Sequence, residues 1–465
     1  MKSLKGNIVI LSLLFMVQNT FAQTVAGNWN GALEIGKIKL RIVFHITENK
    51  GEYNSTMDSP DQGAKDLPVG STTFKDGVLT LKMPNLKAEF VGNWSEEMPD
   101  FINGTFTQRG KTFELNLARG DFKLNRPQEP KPPYKYFSED VAFENTEDNV
   151  TLAGTLTKPK RRGKYKAVVM VSGSGPQNRD EEMLGHKPFL VIADYLTKAG
   201  YAVLRYDDRG VGGSTGDFSK ATTFDLARDA NAAVEFLSNR KDITEIGIIG
   251  HSEGGLIAPM VASNNKKVKT IVMLAGPGIQ GGELLKLQQE LIATANGESE
   301  NDIETMKKIN VGAIDIITNS KDYGSAYGAL TKYFGETLEE LPDSLNPDGS
   351  SDTELRQTYM ASYGTKWMFE FIRINPADYI SKLDCSVLAL FGGLDLQVPS
   401  KENSVGVQKA KSKAPNSELK LTTLSHLNHL FQECETGSPS EYSEIEETFS
   451  SKALKQIELW LNQKL

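Results

Sequence analysis

The chain has 465 residues, of which 39% are hydrophobic and 24% charged. This composition is too apolar for a disordered chain, and the length exceeds what one hydrophobic core usually serves, so two or three folded domains are expected. The 52 Lys and Arg residues are outnumbered by 60 Asp and Glu residues, for a net charge of -8. Because a nucleic-acid surface needs clustered basic residues, this balance favours a small-molecule or peptide partner and no nucleic acid.

Residues 1–22 have the pattern of a cleavable export signal. Lys2 and Lys5 precede an apolar run at 8–17, and small residues end the segment at Thr20 and Ala22. The run is about half the length that spans a bilayer. We therefore predict a signal peptide over 1–22 and an exported mature protein, periplasmic or secreted, without stable membrane insertion. The alternative is a buried N-terminal helix.

Short segments with alternating apolar and polar residues fill the next hundred positions. Residues 38–46, 79–83 and 113–117 alternate in this way, and 75–77 reads Lys-Asp-Gly, a typical hairpin turn. Alternation with period two indicates strands that are buried on one face only. The pattern predicts a small antiparallel β-barrel or sandwich domain over residues 23–125.

A proline-rich stretch then separates two kinds of pattern. Four prolines lie within residues 126–133, which favours an extended linker, predicted over 126–138. Beyond it, apolar strand-like runs alternate with helical segments, as expected of a parallel sheet covered by helices. The strand-like runs are 167–171, 201–206, 246–249, 270–275, 387–391 and 419–424, and the first helical segments are 188–199 and 224–239.

About 100 residues of helical character interrupt this alternation after residue 275. They predict a helical cap, about residues 278–380, within an α/β domain that extends over 139–465. Tyr359, Tyr363, Trp367 and Phe371 recur every four residues in a helical segment at 353–373. Such an aromatic stripe indicates either packing onto the sheet domain or the lining of an acyl pocket.

The pentapeptide Gly-x-Ser-x-Gly occurs twice, at 212–216 and at 250–254. Ser252 follows a β-branched strand and precedes an apolar helix, which is the strand, sharp turn and helix that positions a nucleophilic serine. Ser214 follows its strand by eight residues inside a glycine-rich run, which favours an ordinary loop. We therefore predict Ser252 as the nucleophile.

A serine nucleophile needs a histidine base and an acid that orients it, in the chain order Ser, acid, His. Asp395 follows the predicted strand 387–391 at its carboxyl end, where such sites are built, whereas Asp384 precedes it. His426 and His429 both follow the last strand; His429 is predicted as the base because it lies further into the loop, with His426 as the alternative. His186 and His251 are not placed as bases.

The oxyanion of an acyl-transfer reaction needs two backbone N–H donors. The residue after the nucleophile, Glu253, is predicted to supply one. The second is predicted at Ser174, in the loop that follows strand 167–171; the alternative is an ordinary glycine-rich turn. Cys385 and Cys434 are the only cysteines, so either one disulfide or two free thiols is expected.

Five stretches of the chain resemble exported bacterial α/β-hydrolase esterases and, more distantly, serine aminopeptidases and acyl-CoA thioesterases. The stretches are 171–176, 205–212, 250–255, 395–399 and 428–432. The resemblance implies an α/β-hydrolase fold and a carboxylic-ester hydrolase with Ser252, Asp395 and His429 as its triad. It also implies that Asp208 and Arg209 organise loops.

Three functions follow from these patterns. The first is a serine esterase without cofactor or metal, since His-x-x-x-His, cysteine-cluster and phosphate-loop patterns do not occur in the sequence. The second is a peptidase or thioesterase that uses the same triad. The third is a non-catalytic binding protein.

Overall fold

The computed structural model describes residues 24–35, 38–62, 64–121, 125–346, 349–414 and 417–465. The predicted signal peptide, residues 1–22, lies outside them. The described residues divide into two compact units, the first formed by those between 24 and 60 and between 64 and 121, the second by 61–62 and those between 125 and 465. None of the helices formed by the described residues is long and apolar enough to cross a bilayer.

The described residues of the first unit form one antiparallel sheet, as predicted. Its strands are β1 (Gly27–Ile35), β2 (Ile38–Asn49), β3 (Glu52–Ser59), β4 (Ala64–Pro68), β5 (Ser71–Lys75), β6 (Val78–Met83), β7 (Ala88–Ser95), β8 (Met98–Gln108), β9 (Lys111–Glu114) and β10 (Leu117–Arg119). Their order is β4-β3-β2-β1-β10-β8-β7-β6-β5, with β9 paired to β8. The predicted Lys-Asp-Gly turn joins β5 to β6 with positive φ angles at Asp76 and Gly77, which suits the twist of a hairpin.

The core of this unit is built on Trp29. The indole is fully buried, its Nε1–H donates to the Val25 carbonyl at 2.7 Å, and the Arg119 guanidinium lies 4.2 Å above the ring centroid. Residues 113–117 do not form the single strand expected from their alternation. The Leu115 N–H donates to the Gly104 carbonyl, and the Asn116 side chain accepts from the Gly104 N–H. The regular pairing with β8 is interrupted here, so β9 and β10 are separate strands.

The second unit contains a mixed, mostly parallel sheet, which confirms the predicted fold class. Its strands are β11 (Phe137–Asn145), β12 (Val150–Lys158), β13 (Tyr165–Val171), β14 (Ala202–Tyr206), β15 (Ile243–His251), β16 (Val268–Leu274), β17 (Ser386–Gly392) and β18 (Leu419–Leu424). The order is β11-β12-β14-β13-β15-β16-β17-β18. Strands β13 to β18 run parallel to one another, and β12 runs antiparallel to both of its neighbours, the edge strand β11 and strand β14.

Helices cover this sheet and form an insertion between β16 and β17. They are α1 (Pro188–Lys198), α2 (Thr223–Ser238), α3 (Glu253–Ala262), α4 (Gly281–Asn296), α5 (Glu300–Asn319), α6 (Tyr323–Thr337), α7 (Asp352–Tyr363), α8 (Lys366–Arg373), α9 (Ala377–Ile380), α10 (Ser400–Lys411) and α11 (Ser451–Lys464). Helices α4 to α8 have a hydrophobic core of their own, in which Ile314, Leu330 and Phe334 are fully buried.

The helical segment expected at 353–373 is two helices. Helix α7 ends at Tyr363, and the N–H of the following Gly364 donates to the Met360 carbonyl. Helix α8 begins after Thr365, whose side chain caps its first turn. Tyr363 is buried in the cap core, whereas Trp367 packs against the core of the sheet domain. The four aromatic residues therefore lie on two helices and pack against two cores.

The two cysteines are not bridged. Cys385 is buried just before β17, and Cys434 is half-buried in the loop after β18. Burial raises the pKa of each thiol to about 11, so both remain protonated thiols at neutral pH and are poor nucleophiles.

The first residues of the proline-rich stretch are anchored to the second unit. The Gln128 amide group makes three hydrogen bonds: its Oε1 accepts from the N–H groups of Thr448 and Phe449 at 2.6 and 2.9 Å, and its Nε2 donates to the Phe449 carbonyl at 2.8 Å. Arg126 donates to the Ile445 carbonyl at 2.8 Å. Strand β11 begins at Phe137, so the last residues of the predicted linker belong to the sheet.

We expect Gln128→Ala to lower the free energy of unfolding of the second unit by roughly 1–3 kcal/mol, because two buried backbone N–H groups lose their acceptor. Urea unfolding followed by circular dichroism measures this change. Lys131→Ala, at an exposed position of the same stretch, serves as the control. Equal stability of the two variants would mean that the stretch is not anchored in solution.

Candidate active site

Ser252 occupies the turn between β15 and α3. Its backbone has φ 53° and ψ −118°, a conformation that is strained for any residue with a side chain. Its N–H donates to the Leu274 carbonyl at the end of β16, at 2.8 Å. Helix α3 begins at the next residue. The serine therefore lies at the carboxyl edge of the parallel sheet, where α/β folds build their sites.

Glycines make this turn possible. A Cβ on Gly250 would come 2.0 Å from the Gly254 carbonyl oxygen, and one on Gly254 would come 2.1 Å from the Val171 carbonyl oxygen. A Cβ on Gly255 would come 2.5 Å from the Cα of Gly276. These distances leave no room for a side chain, which explains why the pentapeptide needs its glycines here.

The structure brings the predicted base and acid together. His429 Nδ1 lies 2.9 Å from Asp395 Oδ2, and both side chains are almost completely buried. The other carboxylate oxygen, Asp395 Oδ1, accepts from the N–H groups of Gln397 and Val398, each at 2.8 Å. The acid is thus fixed by the backbone of its own loop and holds one edge of the imidazole ring.

The alternatives considered from the sequence lie in other settings. His426 is exposed, with a φ of 62°. The ring of His186 is buried between Thr448 and the Tyr442 carbonyl, and burial lowers its pKa to about 4. Ser214 donates to the Asp207 carbonyl at 2.7 Å and accepts from the Ala153 N–H at 2.9 Å, so its hydroxyl closes a loop.

The loop after β13 lies against the nucleophile. A Cβ on Gly173 would come 3.1 Å from the Cβ of Ser252. The Gly173 N–H already donates to Glu181 Oε1 at 2.7 Å, whereas Ser174 next to it is exposed. Among the residues that the structure describes, none accepts a hydrogen bond from the backbone N–H of Ser174 or Glu253. These two amides remain the predicted oxyanion donors.

The Asp208 carboxyl group is hydrogen-bonded to two residues of this loop. Its Oδ1 bonds the Ser172 hydroxyl at 2.8 Å, and its Oδ2 accepts from the Gln177 N–H at 2.9 Å. Burial, partly offset by these bonds and aided by the charges of Glu253 and Glu181, raises the pKa of Asp208 to about 8. The neighbouring Arg209 is paired with Asp229 at 2.7 Å. Asp208 thus contacts the loop after β13, whereas Arg209 binds a residue of helix α2. The loop-organising role that the resemblance implies for both residues stays a prediction.

The Glu253 side chain joins the nucleophile turn to the cap. Its Oε1 accepts from the Thr223 hydroxyl at 2.6 Å and from the Trp367 indole N–H, on α8, at 2.8 Å. Its Oε2 is buried and has no partner among the described residues. Burial raises the pKa of Glu253 above its ordinary value. This contact was not foreseen, because residues 253 and 367 are far apart in the chain.

Sequence reasoning also missed Glu181, which bonds both Gly173 and His251 near the nucleophile. The residue lies 70 positions before His251, outside any motif, so no local pattern signals it. Within the described part of the chain, no group of three or more His, Cys, Asp or Glu side chains is arranged to hold a metal ion.

We expect the Asp208 carboxyl to make stability fall as pH rises. Its folded pKa of about 8 lies above the usual 3.8, so folding favours the protonated form, and the stability this contributes is lost as pH rises toward about 8. Asp208→Asn keeps a neutral group and should flatten the fall in unfolding free energy between about pH 4 and about pH 8. Exposed Asp384→Asn is the control. Parallel curves for wild type and Asp208→Asn would contradict this.

Three comparisons bear on this arrangement. Residues 187–315 match the family profile described as "Serine aminopeptidase, S33". Esterase EstD of Thermotoga maritima is 27% identical over 313 residues, which cover 66% of this chain and 65% of that esterase. The chain thus spans slightly less than two thirds of this relative's length. An uncharacterised 31.7 kDa protein of Escherichia coli is 23% identical over 219 residues, covering 45% of this chain and 68% of that protein.

Solved esterases are more distantly similar. The esterase Pf2001 of Pyrococcus furiosus is 20% identical, with a TM-score of 0.42, over 71% of this chain and 93% of its own. Est1E from Butyrivibrio proteoclasticus, solved with bound ferulic acid, is 18% identical, with a TM-score of 0.40, over 70% of this chain and 98% of its own.

The second sheet has the order β11-β12-β14-β13-β15-β16-β17-β18, with β12 antiparallel to a series of otherwise parallel strands. The strained serine turn between β15 and α3 stands where the α/β-hydrolase fold carries its nucleophile. By these features the second unit has an α/β-hydrolase fold, in agreement with the expectation from the sequence.

Proposed function

We propose that the protein is a carboxylic-ester hydrolase that acts through an acyl-enzyme on Ser252. The observation that carries the proposal is the strained turn at Ser252, on the same sheet edge as the buried pair formed by His429 and Asp395. The similarity to a named esterase supports ester hydrolysis in general. The roles of the individual residues rest on the geometry of the site.

In the proposed reaction, Asp395 accepts a hydrogen bond from His429 Nδ1–H and thereby leaves Nε2 free to act as a base. Nε2 takes the hydroxyl proton of Ser252 while Oγ attacks the ester carbonyl. The same nitrogen then protonates the leaving alcohol. Water, activated by His429, releases the acid and restores Ser252.

The negative charge of the tetrahedral intermediate needs donors that are fixed before the reaction. We propose the backbone N–H groups of Glu253 and Ser174 for this role, the first at the start of α3 and the second in the loop beside Ser252. The positive, N-terminal end of the α3 helix dipole also stabilises this negative charge. Each such donor typically contributes about 3–4 kcal/mol to the transition state.

A peptidase or thioesterase is the second candidate. Its support is the family profile, which is named for a serine aminopeptidase, and amides and thioesters pass through the same acyl-enzyme. Nitrophenyl esters of increasing acyl length, aminoacyl nitroanilides and acyl thioesters, tested side by side, rank the three substrate classes. A higher kcat/KM for the nitroanilides than for the esters would replace esterase by peptidase.

We expect Ser252→Ala to reduce kcat for nitrophenyl esters by on the order of a millionfold, because it removes the nucleophile. Ser214→Ala is the matched control from the other Gly-x-Ser-x-Gly pentapeptide. It should keep kcat/KM within about threefold while losing roughly 1–3 kcal/mol of stability, since the Ala153 N–H loses its acceptor. Equal losses of activity in the two variants would refute Ser252 as the nucleophile, and activity that survives in Ser252→Ala would point to another site.

We expect His429→Ala to be nearly as severe as Ser252→Ala, because the two residues act as a unit. His426→Asn should keep kcat within about threefold of wild type, since Asn tolerates the positive φ at this exposed position. Steady-state kinetics at saturating ester measures both. The reverse ranking would move the base to His426.

A further inference from the structure

A second histidine–carboxyl pair lies directly beside the nucleophile. His251, the residue before Ser252, has Nδ1 3.0 Å from Glu181 Oε1 and Nε2 3.0 Å from the His429 carbonyl oxygen. Both side chains are almost completely buried. Neither side chain takes part in the proposed reaction. Their role is therefore sought in the backbone groups to which they are hydrogen-bonded.

The partners of the ring define its protonation. A carbonyl oxygen only accepts hydrogen bonds, so Nε2 carries a proton. Glu181 Oε1 already accepts the Gly173 N–H at 2.7 Å and faces Nδ1 as an acceptor as well. Both ring nitrogens of His251 therefore donate, which makes the ring an imidazolium opposite a carboxylate.

The pair joins two separate loops of the site. Through Glu181 it holds the backbone of Gly173, which lies against Ser252 and precedes the proposed oxyanion donor Ser174. Through Nε2 it holds the backbone of His429, and the rings of His251 and His429 lie 4.8 Å apart between centroids. One charged pair thus touches the segments that carry the proposed donor and the proposed base.

We propose that Glu181 and His251 are positioning residues. As a carboxylate and an imidazolium, they align the loop at Gly173 and the loop at His429 around Ser252. The inference rests on the proposed ester hydrolysis by Ser252. Neither residue contacts the reacting atoms; each acts through the backbone that it holds.

The surroundings make this pair sensitive to pH. Glu181, Asp395 and His429 are the titratable groups that face His251; Asp208 lies beyond Glu181. A small cavity beside the pair is otherwise lined by the apolar side chains of Pro188, Phe189, Ile192, Leu274, Leu430 and Phe449.

Burial lowers the pKa of His251, but the charge of Glu181 and the two hydrogen bonds outweigh burial and raise it above the usual 6.5. Because the folded pKa is raised, the alignment is present below that pKa and is lost as pH rises through it. Loss of the Nδ1 proton would place a lone pair against the carboxylate. We expect the acylation rate to fall on the alkaline side for this reason.

Three variants separate the contacts of the pair. By bond count from Cβ, the amide nitrogen of Asn matches Nδ1 and that of Gln matches Nε2. His251→Asn therefore keeps the bond to Glu181 and loses the one to His429, whereas His251→Gln does the reverse. Glu181→Gln is nearly isosteric and removes only the charge. His426→Asn is the control for the loss of a histidine.

The measurements are kcat and KM for a nitrophenyl acetate, the pH profile of acylation, and the extent of Ser252 labelling by a phosphonate. We expect both His251 variants to lose about 10- to 100-fold in kcat with little change in KM, as misplacement of reacting groups does. Glu181→Gln should move the alkaline fall of the acylation rate to lower pH by at least about one unit, since the carboxylate no longer holds the proton.

The inference is overturned if both His251 variants keep kcat within about threefold of wild type, or if Glu181→Gln leaves the alkaline fall in place. Should the variants fail to fold, the unmodified protein decides: a constant acylation rate between about pH 7 and about pH 11 would also overturn it. Wild type that neither hydrolyses esters nor takes up the phosphonate at Ser252 would instead refute the proposed function, which keeps the two failures distinct.

Discussion

The positive φ of Ser252 is the constraint on which the second unit depends. Such a backbone conformation costs roughly 1–3 kcal/mol and persists only when its surroundings impose it. Here the imposition is steric: Gly250, Gly254 and Gly255 let helix α3 lie almost in contact with the ends of β13 and β16. The central strands and the nucleophile turn therefore pack as a single rigid unit. A methyl group at any of these glycines would push the serine away from the sheet edge.

Buried and half-buried charged side chains of the second unit form ion pairs. Arg209 joins Asp229 to Asp148, and Arg179 binds Asp207 at 2.7 Å. Ion pairs of this kind contribute little net stability, because the cost of desolvation offsets their attraction, but breaking one leaves an uncompensated charge. The pair of Arg179 and Asp207 holds the loop after β13, which also carries the proposed oxyanion donor Ser174.

The parts of the structure that could be predicted are those in which a local pattern has a single physical meaning. The apolar runs of β13, β15 and β17 are buried on both faces, and the setting of Ser252 separates it from Ser214. Strands β11 and β12 were not identified: exposed positions of β11 carry charged residues, and threonines and a glycine interrupt the apolar residues of β12. His251 and Glu181 could not be paired from sequence, since only the tertiary fold brings together residues 70 positions apart.

Trp367 has a consequence for how the cap can be observed. It is the only tryptophan between β16 and β17, and its indole N–H is bonded to the residue that follows the nucleophile. Indole emission depends strongly on hydrogen bonding and on exposure to water. Trp29, Trp94 and Trp460 also emit, so the part of the emission that Trp367→Phe removes is the intrinsic reporter of whether the cap is seated on the sheet.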